Sequence, residues 1–243
     1  MLPYLDSTSS FPPVNQALED PNGLLAAGAD LSVERLVSAY SQGIFPWFSE
    51  GEPILWWSPN PRTVFKTGLF KPSRSLCRFV RKNQFKATLN KDFEQVINLC
   101  AEPTIERPST WITKEMINAY LELHLVGVAH SVEIWDREKI IGGIYGVAIG
   151  RLFCGESMFS RVSNGSKMAL SCLISYLKEN KFPLLDSQVD NSHLTSLGAL
   201  QIGRNSYKNL IEPLVKQKLS DNIWQSKPLP IKRYVSRSGT VQV

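Results

Sequence analysis

The chain of 243 residues is short of the side chains that most catalytic motifs require. It has three histidines and four cysteines, and Cys77, Cys100, Cys154 and Cys172 are far apart, with no CxxC pair. That argues against a metal site and a disulfide framework, and the four are expected as reduced thiols. No apolar run is long enough to span a bilayer. The N-terminus, MLPYLDSTSSFPP, lacks the basic region and apolar core of a secretion signal, so a cytoplasmic protein without membrane contact is expected. There is no GxxxxGK[ST] phosphate loop, no GxGxxG fingerprint after a strand and no GxSxG elbow, and Cys154 has no evident histidine partner. Together these absences leave no cofactor to expect. They suit a reaction with an already activated acyl donor, which needs mainly positioning and charge stabilisation.

What the chain does contain is an ordinary globular composition, 43% hydrophobic and 20% charged, with a net charge of +5. That excess is compatible with a polyanionic partner, but its distribution says more than its total. Residues 1–30 are rich in Pro, Gly, Asn and Asp, which is loop chemistry. Asp30 is positioned to cap a helix carrying Val33, Leu36, Val37 and Tyr40 on one face, with Gly43 at its end. GIFPWF and PILWWSPNPR then bring Trp47, Trp56 and Trp57 together. Sealing a small core is the favoured reading, and a stacking platform for bases or a sugar is the alternative. Residues 59–66 are the expected boundary between a small N-terminal module (1–63) and the main domain (64–243).

SRSLCRFVRK, residues 73–82, reads as a short helix with Leu76, Phe79 and Val80 inward. Arg74, Arg78 and Arg81 follow at i, i+4 and i+7, with Lys82 beside them and no acidic residue in the helix to pair with. That tips the reading from a solvated basic face toward phosphate binding. Asp92 opens an amphipathic helix. A polar loop at 102–109 and Trp111 precede another helix, which begins near Thr113 and buries Met116, Tyr120 and Leu123. From Val128 the period shortens, with Val128, Val132 and Ile134 to one side. Three strands with tight connections form an antiparallel meander reaching LFCGESMF. A helix bearing Leu170, Leu173, Ile174 and Leu177, a buried strand PLLDSQV, and a helix with Tyr207, Leu210, Ile211 and Leu214 inward complete an α+β domain around one central, mostly antiparallel sheet. The basic tail from Ser226 is expected to fray.

Two polar segments lie in apolar surroundings. Glu156 sits among Phe153, Met158 and Phe159. A carboxylate there costs free energy unless a cation or ligand pairs with it, although an outward-facing Glu at a strand end fits the pattern as well. Asp186 and Gln188 are two apart in a strand and so are expected to face the same way. The carboxylate can orient the amide, and the amide oxygen can accept a hydrogen bond from an amine. Gln does not titrate, so the pair is no hydrolytic dyad, and Asp and Gln at the end of a strand are by themselves more often structural than catalytic. His193 is nearby and could simply anchor its loop.

LLAAGADLS, GIFPWF, ILWWSPNPR, STWI, AHSVEIW, GGIYGVAIG, FCGESMFS, DSQ and HLTSLGA occur in the order found in leucyl/phenylalanyl-tRNA–protein transferases. The chain resembles that family from about Phe11 to Tyr207. The resemblance implies a small N-terminal domain beside a GNAT-like acyltransferase domain. It also implies transfer of Leu or Phe, and less efficiently Met, from leucyl-, phenylalanyl- or methionyl-tRNA to proteins with N-terminal Arg or Lys, marking them for degradation. A monomer is expected. By position, Asp186 and Gln188 match the family's proposed catalytic pair, in which Asp orients Gln. Tyr40, Trp47 and Trp111 match aromatics that hold the terminal adenosine of the tRNA. Ile144, Phe153, Met158, Leu170 and Leu185 match the pocket for the aminoacyl side chain. Glu156 and Asn191 match positions near the acceptor peptide, and Arg74, Arg78, Arg81 and Lys82 the basic cluster for the tRNA body. Ser187 stands where the family commonly has Cys, which argues against thiol chemistry. The rival acetyl-coenzyme A-dependent GNAT enzymes resemble one another in a pyrophosphate loop whose spacing RVSNGSK does not reproduce.

Overall fold

A computed structural model of the chain describes residues 2–103 and 110–237. The polar loop read at 102–109 lies outside the described residues from 104 on, as does the end of the tail. Four short strands form a first sheet in the order β1-β2-β4-β3: β1 (Tyr4–Leu5), β2 (Leu24–Gly28), β3 (Phe45–Pro46) and β4 (Leu55–Trp57). Helix α1 (Val33–Ser41) joins β2 to β3. Its cap is Ser32 rather than Asp30: the Ser32 hydroxyl accepts from the Arg35 N–H, and the Asp30 carboxylate accepts from the Ser32 N–H at 2.9 Å. The carboxylate thus braces the cap from one turn outside. Gly43, at φ +76°, ends the helix in a conformation that a side chain would strain. The tryptophans divide. Trp56 is fully buried and donates to the Gly28 carbonyl, whereas Trp47 is 43% exposed and leans on the ring of Trp57.

The second sheet has eight strands in the order β11-β5-β10-β9-β8-β7-β6-β12. These are β5 (Arg62–Lys66), β6 (Lys86–Leu89), β7 (Ala129–Asp136), β8 (Lys139–Ile149), β9 (Leu152–Ser160), β10 (Leu184–Gln188), β11 (Leu200–Ile202) and β12 (Lys227–Leu229). Every neighbouring pair is antiparallel except β9 with β10. The helices are α2 (Arg74–Lys82), α3 (Phe93–Ala101), α4 (Lys114–Leu125), α5 (Gly165–Glu179), α6 (Ser192–Ser196), α7 (Arg204–Val215) and α8 (Ile231–Tyr234). Residues of α1, α3, α4 and α7 pack on one face of the sheet together with the first sheet, and α2, α5 and α8 pack on the other.

Both faces are therefore covered, which is why β7 alternates only partly: all its residues but Asp136 are buried. Val132 and Ile134 belong to the core under α5. Val128 precedes the strand and packs on the opposite core, not with them. Close approach explains the first glycine of the GGIYG run. A Cβ on Gly142 would stand 2.4 Å from the Gly165 backbone, where α5 begins against β8.

Three further expectations change. In α2, Cys77 is buried and Phe79 only half-buried, so the inward stripe is shifted by part of a turn. In α7, Leu210 is 45% exposed, and Tyr207 and Ile211 face the core. The stretch from Ser226 to Arg237 is ordered instead of frayed. It adds β12 to the sheet edge against β6 and buries Leu229, Ile231, Tyr234 and Val235, apolar residues spaced to dock a strand and one helical turn.

Candidate active site

Strands β9 and β10 run side by side only at Leu185 opposite Phe153 and Asp186 opposite Cys154, and then they part. Each carries a bulge at that point. In β9, Tyr145 pairs with Ser157 and Gly146 with Gly155, which leaves Glu156 as the extra residue. In β10, Val64 pairs with Asp186 and Thr63 with Gln188, which leaves Ser187 extra, and Gln188 takes φ +62°. Bulges re-aim side chains, and these two turn Glu156 and Gln188 toward each other. Between the parted strands lies a cavity of about 430 Å³. One part of its wall is apolar: Phe65, Ile144, Met158, Leu170 and Leu185. Trp47 and Trp111 supply aromatic sides, and Glu156, Gln188, Asp190 and Asn191 a polar end. No cation is among the described residues that line it.

Glu156 is the hub. One carboxylate oxygen accepts from the Tyr40 hydroxyl (2.7 Å) and the Gln188 amide nitrogen (2.7 Å), and the other from the Tyr120 hydroxyl (2.9 Å). The two tyrosine hydroxyls also contact each other. Burial pushes the Glu156 carboxyl up to about 7 against its three hydrogen bonds, and the nearby Asp186 charge pushes the same way. Burial, with the Glu156 charge, likewise holds Tyr40 and Tyr120 well above the usual phenol range. Because a carboxylate can only accept, the amide end nearest Glu156 is nitrogen, which leaves the Gln188 oxygen to accept elsewhere.

Asp186 occupies a different compartment. It is fully buried and does not line the cavity. Its two oxygens accept from Arg62 Nε and Nη2 at 2.9 and 2.7 Å, from the Tyr207 hydroxyl at 2.7 Å and from the Gln188 backbone N–H at 2.9 Å. Although burial opposes the Arg62 charge, Asp186 keeps that guanidinium protonated. The expectation that Asp186 and Gln188 face the same way is thus corrected. The bulge at Ser187 breaks the two-residue period, so Asp186 holds the backbone of Gln188 while Glu156 holds its side-chain amide.

Other expected residues separate in the same manner. Trp47, Trp111, Ile144, Met158, Leu170, Leu185, Glu156, Gln188 and Asn191 share the cavity. Tyr40 has no exposed ring face and cannot stack a base in this structure; what reaches the site is its hydroxyl. Phe153 lies where β9 and β10 are still paired, and its ring packs on Trp224 rather than lining the cavity. Asn191 also caps α6 by accepting from the Leu194 N–H, and His193 is exposed and not in the lining. Arg74, Arg78, Arg81 and Lys82 are all exposed on α2, away from this cavity.

Sequence reasoning missed Arg62, Tyr120, Tyr207, Phe65 and Asp190. Arg62 had a visible signal, a lone cation opening the apolar strand TVF. Tyr120 and Tyr207 were legible only as core residues of their helices.

Against known proteins, the family model described as leucyl/phenylalanyl-tRNA protein transferase matches residues 64–212, and the model for its N-terminal domain matches residues 29–60. A leucyl/phenylalanyl-tRNA–protein transferase from Pseudoalteromonas atlantica is 48% identical over 225 residues, 93% of this chain and 96% of that one. The protein of that name from Pseudomonas fluorescens is 51% identical over 212 residues, 87% of this chain and 94% of that one. A solved structure from Staphylococcus epidermidis, of unknown function, overlaps with a TM-score of 0.39 at 10% identity, covering 74% of this chain and 68% of that one; so loose an overlap carries nothing further. Two family models in their expected order, and relatives near 50% identity along almost the whole length, place this chain in the leucyl/phenylalanyl-tRNA–protein transferase family.

Proposed function

We propose that the chain moves Leu or Phe, and less efficiently Met, from aminoacyl-tRNA to the α-amino group of proteins beginning with Arg or Lys. That step would mark them for degradation in the N-end rule pathway. The observation that carries this reading is the two-ended cavity, apolar at Phe65, Ile144, Met158, Leu170 and Leu185 and acidic at Glu156 and Asp190. The apolar end suits a Leu or Phe side chain and excludes charged ones through desolvation. Among similar apolar side chains it discriminates by only about 1–3 kcal/mol per methylene, so Met is admitted. The acidic end suits a cationic N-terminal residue and repels phosphates, which leaves the tRNA body to the basic face of α2. Trp47 and Trp111 offer ring faces to the terminal adenosine.

In this scheme the acceptor's neutral amine attacks the ester carbonyl. The C–N bond forms, the ester C–O bond breaks, and the ribose hydroxyl leaves with a proton. Gln188, fixed by Glu156, accepts the hydrogen bond from the amine and sets its line of attack. Glu156, titrating near neutrality and hydrogen-bonded to Gln188, can in its ionised form take the one proton that the amine loses and return it to the departing ribose oxygen. Asp186 and Arg62 are positioning residues that hold the strand carrying Gln188. Because the donor ester is activated beforehand, the scheme calls on no cofactor. We assign residues 1–63 and 64–243 to two domains, the second GNAT-like on the strength of the β7–β9 meander, α5 and parallel β10, in a cytoplasmic monomer. Among the described residues no helix is long and apolar enough to cross a membrane.

The test offers leucyl-, phenylalanyl- and methionyl-tRNA separately, each labelled, with a peptide beginning with Arg. Label should enter the peptide from Leu and Phe efficiently and from Met less so. Acetylation of the peptide from acetyl-coenzyme A, with no use of aminoacyl-tRNA, would refute the reading.

A further inference from the structure

The C-terminal stretch from β12 onward lies beyond the residues matched by either family model, yet it is built into the fold. β12 pairs with β6, and α8 packs on α2 and α5, with the Ser175 hydroxyl donating to the Tyr234 carbonyl at 2.9 Å. Docked there, it faces the basic side of α2 across a second cavity of about 580 Å³. Arg74, Arg78 and Arg81 line one side, and Lys232, Arg233 and Arg237 the other. Only Arg233 has an ion pair among the described residues, with Glu179 at 2.9 Å, and the Tyr234 hydroxyl shares that carboxylate. The remaining five cations face one cleft with no carboxylate between them, an arrangement that like-charge repulsion disfavours until an anion enters.

We infer that residues 232–237 complete a cleft for RNA backbone phosphates, so that the tRNA is gripped between α2 and the C-terminal segment and not by α2 alone. This rests on the function proposed above and adds the second wall of the site. Three observations favour a nucleic-acid strand over a single small anion. Seven residues separate Arg74 from Arg81, about 10 Å along a helix at about 1.5 Å per residue, which is longer than a single phosphate group. Arg side chains predominate, and their planar donors suit phosphate oxygens. The chain itself also joins the wall of the acyl cavity to the start of α2. Phe65 in that cavity's wall packs on Phe70 at 5.9 Å between ring centroids, and Phe70 is four residues before Arg74. A donor with its aminoacyl group in the acyl cavity beside Gln188 would then continue over α2 into the cleft, whose lining, among the described residues, holds no carboxylate.

The experiment measures binding and transfer separately. Lys232→Ala/Arg237→Ala changes two exposed side chains and leaves Arg233 with Glu179. Binding of uncharged tRNA, followed by fluorescence anisotropy, should weaken at least tenfold. The slope of log affinity against log salt should become shallower by about 2, at about 0.9 per phosphate contact. Lys232→Glu/Arg237→Glu should weaken binding further. In transfer, the KM for leucyl-tRNA should rise with kcat kept, while transfer from the leucyl ester of adenosine, which has no phosphates, stays as in the parent. RNA binding that depends on these residues, in a chain that transfers nothing from either donor, would refute the proposed function and leave the cleft standing. Unaltered tRNA affinity and salt slope in both variants would overturn the cleft. So would tight binding of inorganic pyrophosphate at Lys232 and Arg237 that displaces no tRNA.

Discussion

Replacing Arg62 by Met removes the cation that Asp186 faces and fills much of the same space with apolar atoms. Arg62 and Asp186 are 1% and 0% exposed, and two parallel hydrogen bonds join them. Water cannot replace the lost partner. Removing one member of such a pair costs about 3–5 kcal/mol, chiefly because the other charge stays buried and uncompensated. Arg62 Nη1 also donates to the Gly43 carbonyl at 3.0 Å, so the upper part of that range is expected. At about 2–4 °C per kcal/mol for a chain of this size, a loss of about 4–5 kcal/mol should lower the thermal midpoint by about 8–20 °C. Urea titration should show a lower midpoint at unchanged slope. Arg62→Met/Asp186→Leu should recover part of the loss, since an apolar pair leaves no buried charge. In transfer assays the single variant should lose kcat while the KM for aminoacyl-tRNA changes less, because in the proposed scheme Asp186 acts only through the Gln188 backbone. A loss below about 1 kcal/mol, or a double variant as unstable as the sum of its singles, would refute this picture of the pair.

Glu156 gives a pH signature. Its folded carboxyl is raised from the usual 4.5 to about 7, so the folded state binds an extra proton between those values. Its contribution to stability is therefore full below about 4.5 and is lost as pH rises through about 7, and Glu156→Gln should remove that pH dependence from denaturation curves. For acceptor peptides, kcat/KM should rise through about 7 as Glu156 ionises and again near about 7.7–8.0 as the α-amine loses its proton. Glu156→Gln should keep only the second rise, and a profile unchanged by the substitution would count against Glu156 as the titrating group. On the basic helix, Arg74→Ala/Arg78→Ala/Arg81→Ala should raise the KM for aminoacyl-tRNA and flatten its log–log salt dependence by about 2.7, at about 0.9 for each of three contacts. Identical salt slopes in variant and parent would exclude α2 as a phosphate contact.

The meander β7–β9, the order of α5 and β10, and the basic face of α2 were legible in the sequence because each rests on local periodicity or spacing. The apolar wall of the cavity was legible through the resemblance, with Ile144, Met158, Leu170 and Leu185 all lining it. Two kinds of information stayed hidden. Bulges are non-local: nothing in LLDSQV shows that Ser187 is unpaired against β5, so Asp186 and Gln188 read as neighbours on one face when they serve different compartments. Polar groups carried by core helices are equally silent. Tyr40 and Tyr120 are 80 residues apart, each reads as a buried ring in an apolar stripe, and only the fold brings both hydroxyls onto Glu156. Docking of the tail was missed because its apolar residues are few, and their partners lie on β6, α2 and α5.

Transfer of labelled leucine from leucyl-tRNA to a peptide beginning with Arg, by the parent chain and by a folded Gln188→Ala variant, tests the central claim most directly. The parent should label the peptide. The variant should bind leucyl-tRNA with parental affinity and transfer at a rate lower by two orders of magnitude or more, the usual scale for a group that positions a proton transfer. A folded Gln188→Ala chain that transfers leucine at the parental rate would contradict the account.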